Sequence, residues 1–470
     1  MFRHNNRNHA ARYEMDMTTG ALLPKVLMFS GPLILTGILQ LLYNAADIVV
    51  VGRFAGAQAL AAVGSTGSLI NLLVNVFMGL SVGASVVIAR AYGAGDFKSV
   101  RTGVHTAITV ACVAGVVVGV IGVVAARPLL TLMGSPDDVI DAATLYVQIY
   151  FMGMPANMLY NFGAAILRAV GDTRRPLYYL TISGIVNVLL NLVLVIVFHM
   201  SVAGVAIATV VSQVISMVLV IICLLRTDGA IHLNPKELRI NGSQLKEIFR
   251  VGLPAGLQGS LFSISNVLIQ SSINSFGGVL MSGNAAAQNL EGFVYVSMNA
   301  FQQTAVNFIG QNVGAHQYKR VRKILWICLG SVLAVGLVLS QLVYAFGPSL
   351  LSIYITDSAE AISHGMLRLS WVCIPYFLCG LMDVSTGALR GMGASTAPMI
   401  ISVLGVCGIR IGWIATIFQT TRFHTPQCLY FSYPVSWTIT FAAQMAAFFL
   451  VYRKHTQTLA GSTARTAGDA

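Results

Sequence analysis

The sequence predicts an all-α polytopic membrane protein, with twelve transmembrane helices in two six-helix parallel-repeat lobes, and three observations carry that prediction. Of 470 residues, 56% are hydrophobic and 9% charged, with a mean hydropathy of +0.77, far from the balance of a soluble domain. Apolar segments centred near residues 38, 75, 114, 155, 188, 214, 262, 297, 336, 376, 408 and 440 follow one another, each of the ~20 residues or more that a bilayer core demands. The third observation is an internal repeat.

Shifting the chain by 221 or 222 positions lays one half on the other. FSGPLILTGILQ falls on VGLPAGLQGSLF, AYGAGDFKSVR on NVGAHQYKRVR, and ILRAVGDTRRP on ALRGMGASTAP, so that Pro32 meets Pro254, Gly93 meets Gly314 and Gly171 meets Gly393. The agreements lie at turns and breaks, where chance matches among apolar residues are least frequent. Six spans per copy is an even number, so both copies enter the membrane from the same side as parallel repeats.

In chain order, residues 1–23 read as a cytoplasmic tail, 24–225 as helices 1–6, 226–247 as a cytoplasmic linker, 248–452 as helices 7–12, and 453–470 as a second cytoplasmic tail. The first twenty residues are polar and lack the apolar stretch of a cleavable signal, so the first span is expected to act as a signal anchor. The linker stretch 226–250 is the most polar long segment, with a short amphipathic helix expected at its end. Of 28 Lys and Arg, 23 fall on the side of the N-terminus. Four (Arg53, Arg127, Arg368, Arg422) fall opposite, and Arg410 falls inside a span. The positive-inside rule then puts both termini in the cytoplasm of a multi-pass plasma-membrane protein, and leaves the sequon at Asn241 without meaning.

The formal net charge of +12 is spread over alternate loops and does not form one stripe, so no nucleic acid is expected as a partner. The seven cysteines show no CxxC or zinc-like spacing and read as small packing residues. No GxxxxGK[ST] is present, so the repeated glycine-rich segments read as tight turns flanked by topology charges.

Asp47 followed by VGRFAG, VGASVVIARAYGAGD with its partner FIGQNVGAHQ, and LRAVGDTRRP with LRGMGAST together resemble the bacterial multidrug and toxin extrusion (MATE) transporters, over residues 20–455. The resemblance implies two lobes around a central cavity and export of amphipathic, often cationic compounds in exchange for H+ or Na+. It implies no enzyme activity and no cofactor beyond the coupling ion. The lipid bilayer and small organic cations or other amphipathic drugs are the expected partners, and the chain is expected as a monomer.

Of sixteen acidic residues only Asp47, Glu291 and Asp383 lie well inside predicted spans, where a charge costs at least ~2.5 kcal/mol and marks ion or substrate pathways. Gln40, Asn44 and Asp47 share one helical face at i, i+4, i+7 spacing, and Asn187 and Asn191 lie i, i+4 apart in span five. The resemblance implies that these form the first-lobe cation site, with Na+ at Asp47, Asn187 and Asn191 one option. Some relatives carry a second acid in span five where Asn191 stands, which leaves Na+ or a lone protonatable Asp47 open. In the second lobe, Asp47 aligns with Ile269, so the lobes differ in chemistry. Asp383 matches an acid that cation-coupling members carry in span ten. Glu291 has Gln288 one turn before it, and Arg410 reads either as a counter-ion for Asp383 or Glu291 or as a snorkelling side chain. His105 and His199, near span ends, read as solvated or capping groups. Tyr43, Tyr146, Tyr150, Tyr160, Phe293, Tyr295 and Phe301 read as core or lipid-facing residues that could also line a cavity for flat cations.

No nucleotide site is visible, so an ion gradient is the expected energy source. Three rivals stand beside an exporter. A lipid-linked oligosaccharide flippase would want a cationic cavity, against which the count of three intramembrane acids to one arginine speaks. An intramembrane aspartyl protease would want a GxGD stretch. A passive channel would show no exchange.

Overall fold

A computed structural model describes residues 14–133, 136–356 and 358–468. Most of the N-terminal tail, with Arg3, Arg7 and Arg12 of the charge count, lies outside them, as does the Arg465 side chain. Among the described residues there is no strand, and twelve helical rods follow in order. They are α1 (Leu22–Ala55), α2 (Ala57–Gly93), α3 (Phe97–Leu132), α4 (Ile140–Met152 and Met154–Ala169), α5 (Arg174–Val197) and α6 (Ser201–Arg226). The second six are α7 (Gly242–Asn274), α8 (Gly278–Gly314), α9 (Tyr318–Ala345), α10 (Ala359–Gly391), α11 (Thr396–Ala415) and α12 (Pro426–Gly468). Nine of these contain a stretch long and apolar enough to cross a membrane. The other three are α4, which is broken at Gly153 into two short pieces, and α7 and α8, which carry Gln258, Gln270, Asn284, Glu291, Asn307 and Gln311 among their apolar residues. Outward-facing side chains are themselves apolar, Val124 being 73% and Leu450 67% exposed, the surface of a protein whose solvent is lipid.

The repeat is visible in the backbone. Left-handed φ values occur at Gly56 (91°) and Gly277 (96°), at Gly95 (70°) and His316 (56°), and at Gly171 (97°) and Gly393 (80°), each pair separated by the repeat offset. The last two pairs close helices α2, α8, α4 and α10 with paired 5→2 and 6→1 hydrogen bonds. Gly95 N donates to Tyr92 O and Asp96 N to Ala91 O, and His316 N donates to Val313 O and Gln317 N to Asn312 O. This is the Schellman cap, which needs a residue in the left-handed region. The glycine-rich segments are thus helix stops. Asp96 goes on to cap α3, accepting from Ser99 N at 3.0 Å and Ser99 Oγ at 2.6 Å; the Ser99 bonds hold its carboxyl below the usual range.

The described residues fall into two compact units, one of residues 14–16 and 35–260, the other of residues 17–34 and 261–468. Each is centred on its fourth helix: α4 packs on α2, α3 and α6, and α10 on α8, α9 and α12. Pro155 and Pro375 stand at breaks in α4 and α10, whereas α1 and α7 run through Pro32 and Pro254. Within the first unit, Gly79 and Gly83 of α2 meet Gly252 and Gly256 of α7 so closely that a Cβ on Gly252 would stand 2.6 Å from Leu80 Cα. Glycines four apart on both helices bring backbone onto backbone, the small-residue crossing that membrane helices favour.

Candidate functional site

In the first unit, α1 brings Asp47 to α5, where the Asn191 side-chain amide donates to Asp47 Oδ1 and also to Asn187 Oδ1 at 3.3 Å. Asn187 and Asn191 are buried, and Asp47 is half-buried. The i, i+4 spacing of the two asparagines stacks them on one face of α5, so one amide reaches both the carboxylate and its own neighbour. Asn191 Oδ1 is buried with no hydrogen-bond partner, and Tyr146 lies close enough to feel the Asp47 charge. Gln40 and Asn44, on the same helix as Asp47, are exposed, so of the five residues grouped from the sequence the structure gathers Asp47, Asn187 and Asn191. Tyr43 presses its ring against Gly184 of α5, and its OH donates to Thr181 O at 3.4 Å, just before Asp47. Carboxylate and amide oxygens form the donor set a hard cation takes, and a carboxylate beside a lone amide can also carry one proton.

The second unit holds a different arrangement. Glu291 of α8 is 3% exposed and paired with Arg368 of α10, whose Nε and Nη2 donate to its two oxygens at 3.0 and 2.8 Å. Arg368 Nη1 also donates to Asn284 Oδ1 at 2.9 Å, and that oxygen accepts from Tyr430 OH at 3.2 Å. Arg368, assigned from the sequence to a loop, is therefore a buried residue of a spanning helix. Its fork satisfies a carboxylate that would otherwise be stranded. Arg410 does not act as counter-ion to Glu291. Its guanidinium lies over the Tyr433 ring at 4.0 Å and 5.5 Å from the Trp437 centroid, with Nε donating to Ser436 Oγ at 3.0 Å. Buried among rings, Arg410 neither snorkels nor forms an ion pair with any described residue, and its Nη2 has no hydrogen-bond partner. Gln288 is exposed.

Asp383 of α10 is 5% exposed, and its Oδ2 has no hydrogen-bond partner. The cation that acts on it is Arg390, two helical turns further on, and it lies close enough to Tyr295 to influence that ring's hydroxyl. Tyr295 stacks on Tyr376, and Tyr376 packs against Trp437, so an aromatic run links the neighbourhoods of Asp383 and Arg410.

Sequence reasoning missed two groups here. The partner of Glu291 was hidden because a lone Arg near a span end carries no local sign of burial. Asp172 was read as a turn residue, yet it is 1% exposed and ion-paired with Arg175, which reaches Thr227 Oγ1 at 3.2 Å; its only sequence signal was GDTRRP preceding a helix. Buried arginines of the second unit now number Arg368, Arg390 and Arg410 among the described residues, which removes the charge count as an argument against an anionic cargo. The seven cysteines are all free, five of them buried.

Comparison with known proteins adds three likenesses. The chain is 28% identical to "Probable multidrug resistance protein YoeA" of Bacillus subtilis (strain 168), over 82% of this chain and 84% of that protein. It is 26% identical to "Probable multidrug resistance protein YpnP" of the same organism, over 85% and 89%. Its fold matches the crystal structure of the Vibrio cholerae MATE transporter VcmN in the bent form with a TM-score of 0.84 at 20% identity, covering 94% of this chain and 99% of that one. The MatE family profile matches twice, at residues 32–193 and again at 254–414, one copy for each half of the repeat. With the two profile matches together covering more than half of the chain, the chain belongs to the MatE family of multidrug and toxin extrusion proteins, which are membrane transporters and not enzymes.

Proposed function

We propose that the protein is a secondary active exporter of amphipathic, often cationic organic compounds, working by antiport with H+ or Na+, with the coupling ion taken at Asp47, Asn187 and Asn191. The observation that carries the proposal is the contact between Asp47 and Asn191: a single acid inside a spanning helix, bonded to an amide whose carbonyl oxygen is free. Na+ would draw on the oxygens of all three side chains, and a proton would sit on Asp47 alone. Gln40 and Asn44 line the approach along α1. Asp383 takes the cationic group of the substrate or a second ion, and both termini face the cytoplasm. One charge moving through 100 mV releases about 2.3 kcal/mol, which a substrate of opposite direction of travel can use if both cannot occupy the protein together.

The test is movement of a fluorescent organic cation into inverted vesicles under an imposed proton gradient and then under a sodium gradient. One of the two should drive accumulation in the wild type and fail in Asp47→Asn; indifference to both gradients would overturn the reading. A second reading, a flippase for lipid-linked oligosaccharides, gains from the buried guanidinium of Arg410, which a phosphate would match. A flippase would move a phosphate-bearing lipid analogue, with Arg410 required, and leave organic cations where they are.

A further inference from the structure

His105, near the start of α3, is 3% exposed, and both of its ring nitrogens are engaged. Nδ1 lies 2.7 Å from Arg101 O, a carbonyl that can only accept, so Nδ1 carries a proton and donates. Nε2 lies 3.0 Å from Asn234 N, a backbone amide that can only donate, so Nε2 is bare and accepts. The ring is therefore fixed as the neutral Nδ1–H tautomer by its two partners. The second partner belongs to the linker between the two sequence halves.

Two further pairs of residues strap the same stretch of linker to α3. Glu237 takes Arg101 through both oxygens, at 2.8 and 2.6 Å, and Asn241 N donates to Thr106 Oγ1 at 3.2 Å. The ion pair is about half exposed on each side and so contributes little alone. Charged neighbours of His105 are Lys98 and Arg101 on α3 and Glu237 and Arg239 on the linker, around one cavity. A second proton on the ring would turn Nε2 from acceptor to donor, face to face with the Asn234 N–H, and would set a fourth positive charge beside three cations and a single carboxylate. His232, the one histidine of the linker itself, contacts Thr227 O through Nδ1, a bond that either charge state can make.

We infer that His105 is a proton-released latch: uptake of one proton on the linker's side of the membrane breaks its bond to Asn234 and frees linker residues 232–241 from α3. The latch opens as pH falls, because only the neutral ring accepts.

Hydrogen exchange of the 232–241 amides in the full-length protein in lipid nanodiscs tests this, corrected for intrinsic exchange between pH 8 and pH 5.5. Wild-type protection should fall at least tenfold over that interval, while His105→Gln, which keeps an acceptor and a donor but does not titrate, should give a flat profile, high or low. An undiminished pH response in His105→Gln, or a flat wild-type profile, overturns the latch. Should the variant fail to fold, 15N spectra of labelled histidine in the wild type decide: His105 should show the neutral Nδ1–H pattern at pH 8, converting in step with the loss of linker protection, and a signal that does not track that loss overturns the inference.

Discussion

Glu291 and Arg368 sit 77 positions apart and meet as a two-pronged ion pair in which both side chains are at most 5% exposed. Removing one member strands the charge of the other in a buried site. Arg368→Met should cost about 3–5 kcal/mol, while Glu291→Met combined with Arg368→Met should recover much of that loss. Denaturation of the purified proteins in mild detergent gives the three values. A double variant no better than the sum of the single ones would mean that the pair is not the unit that matters.

Asp47→Asn should leave the protein inserted and folded, since the shape at Asn191 is kept, yet abolish gradient-driven export. Asn191→Leu should lower transport without removing the acid, because it takes away the donor to Asp47 and the free Oδ1 together. Transport by equal amounts of each variant in vesicles is the measurement, and wild-type efflux by Asp47→Asn would remove this residue from the coupling step.

The four matched turns invite substitution in opposite directions. His316 occupies a left-handed position that its repeat partner fills with glycine, so His316→Gly should stabilise by about 1 kcal/mol. At Gly171 the φ of 97° and a Cβ only 2.5 Å from Met15 N and O act together, so Gly171→Ala should cost about 1–3 kcal/mol. Thermal unfolding of the two variants should therefore shift to either side of wild type.

Near the N-terminus, Glu14 accepts from Tyr92 OH at 2.9 Å. Burial raises its carboxyl above the usual range, and the Tyr92 bond opposes that in part. A carboxyl whose folded value lies above its unfolded one confers stability that is fully present below the unfolded value and is lost as pH rises through the folded one. Relative to Glu14→Gln, the wild type should thus gain thermal stability as pH falls from 7.5 towards 4. A difference that holds constant across that range would show that the carboxyl titrates alike in both states.

Much of the architecture was legible because its causes are local. Apolar length gave the spans, and glycines at fixed offsets gave the helix stops that the backbone repeats. The site was legible where spacing carries it, as with Asn187 and Asn191 on one face of α5 and the lone Asp47 facing them. It was not legible where the partner is distant in sequence. Nothing around Arg368 marks it as the match for Glu291, and nothing around Tyr433 tells Arg410 to lie on an aromatic ring instead of against an acid. Nor does sequence separate Gln40 and Asn44, which are exposed, from Asp47 on the same helical stripe, since a stripe one residue wide says which side of a helix is polar and not where along it a neighbour ends.

The glycine crossing between α2 and α7 bears on how the protein is made. The first compact unit closes over residues 242–260, the opening turns of the seventh helix, and these are translated after the whole first copy of the repeat. That unit therefore cannot finish assembling when its own six helices have left the ribosome; it waits for the start of the second copy. The second unit in turn uses residues 17–34, among the earliest made. Two polypeptides separated in the linker would each hold a piece of the other's interior, so co-expressed halves should find one another, and either half alone should be a target for membrane proteolysis.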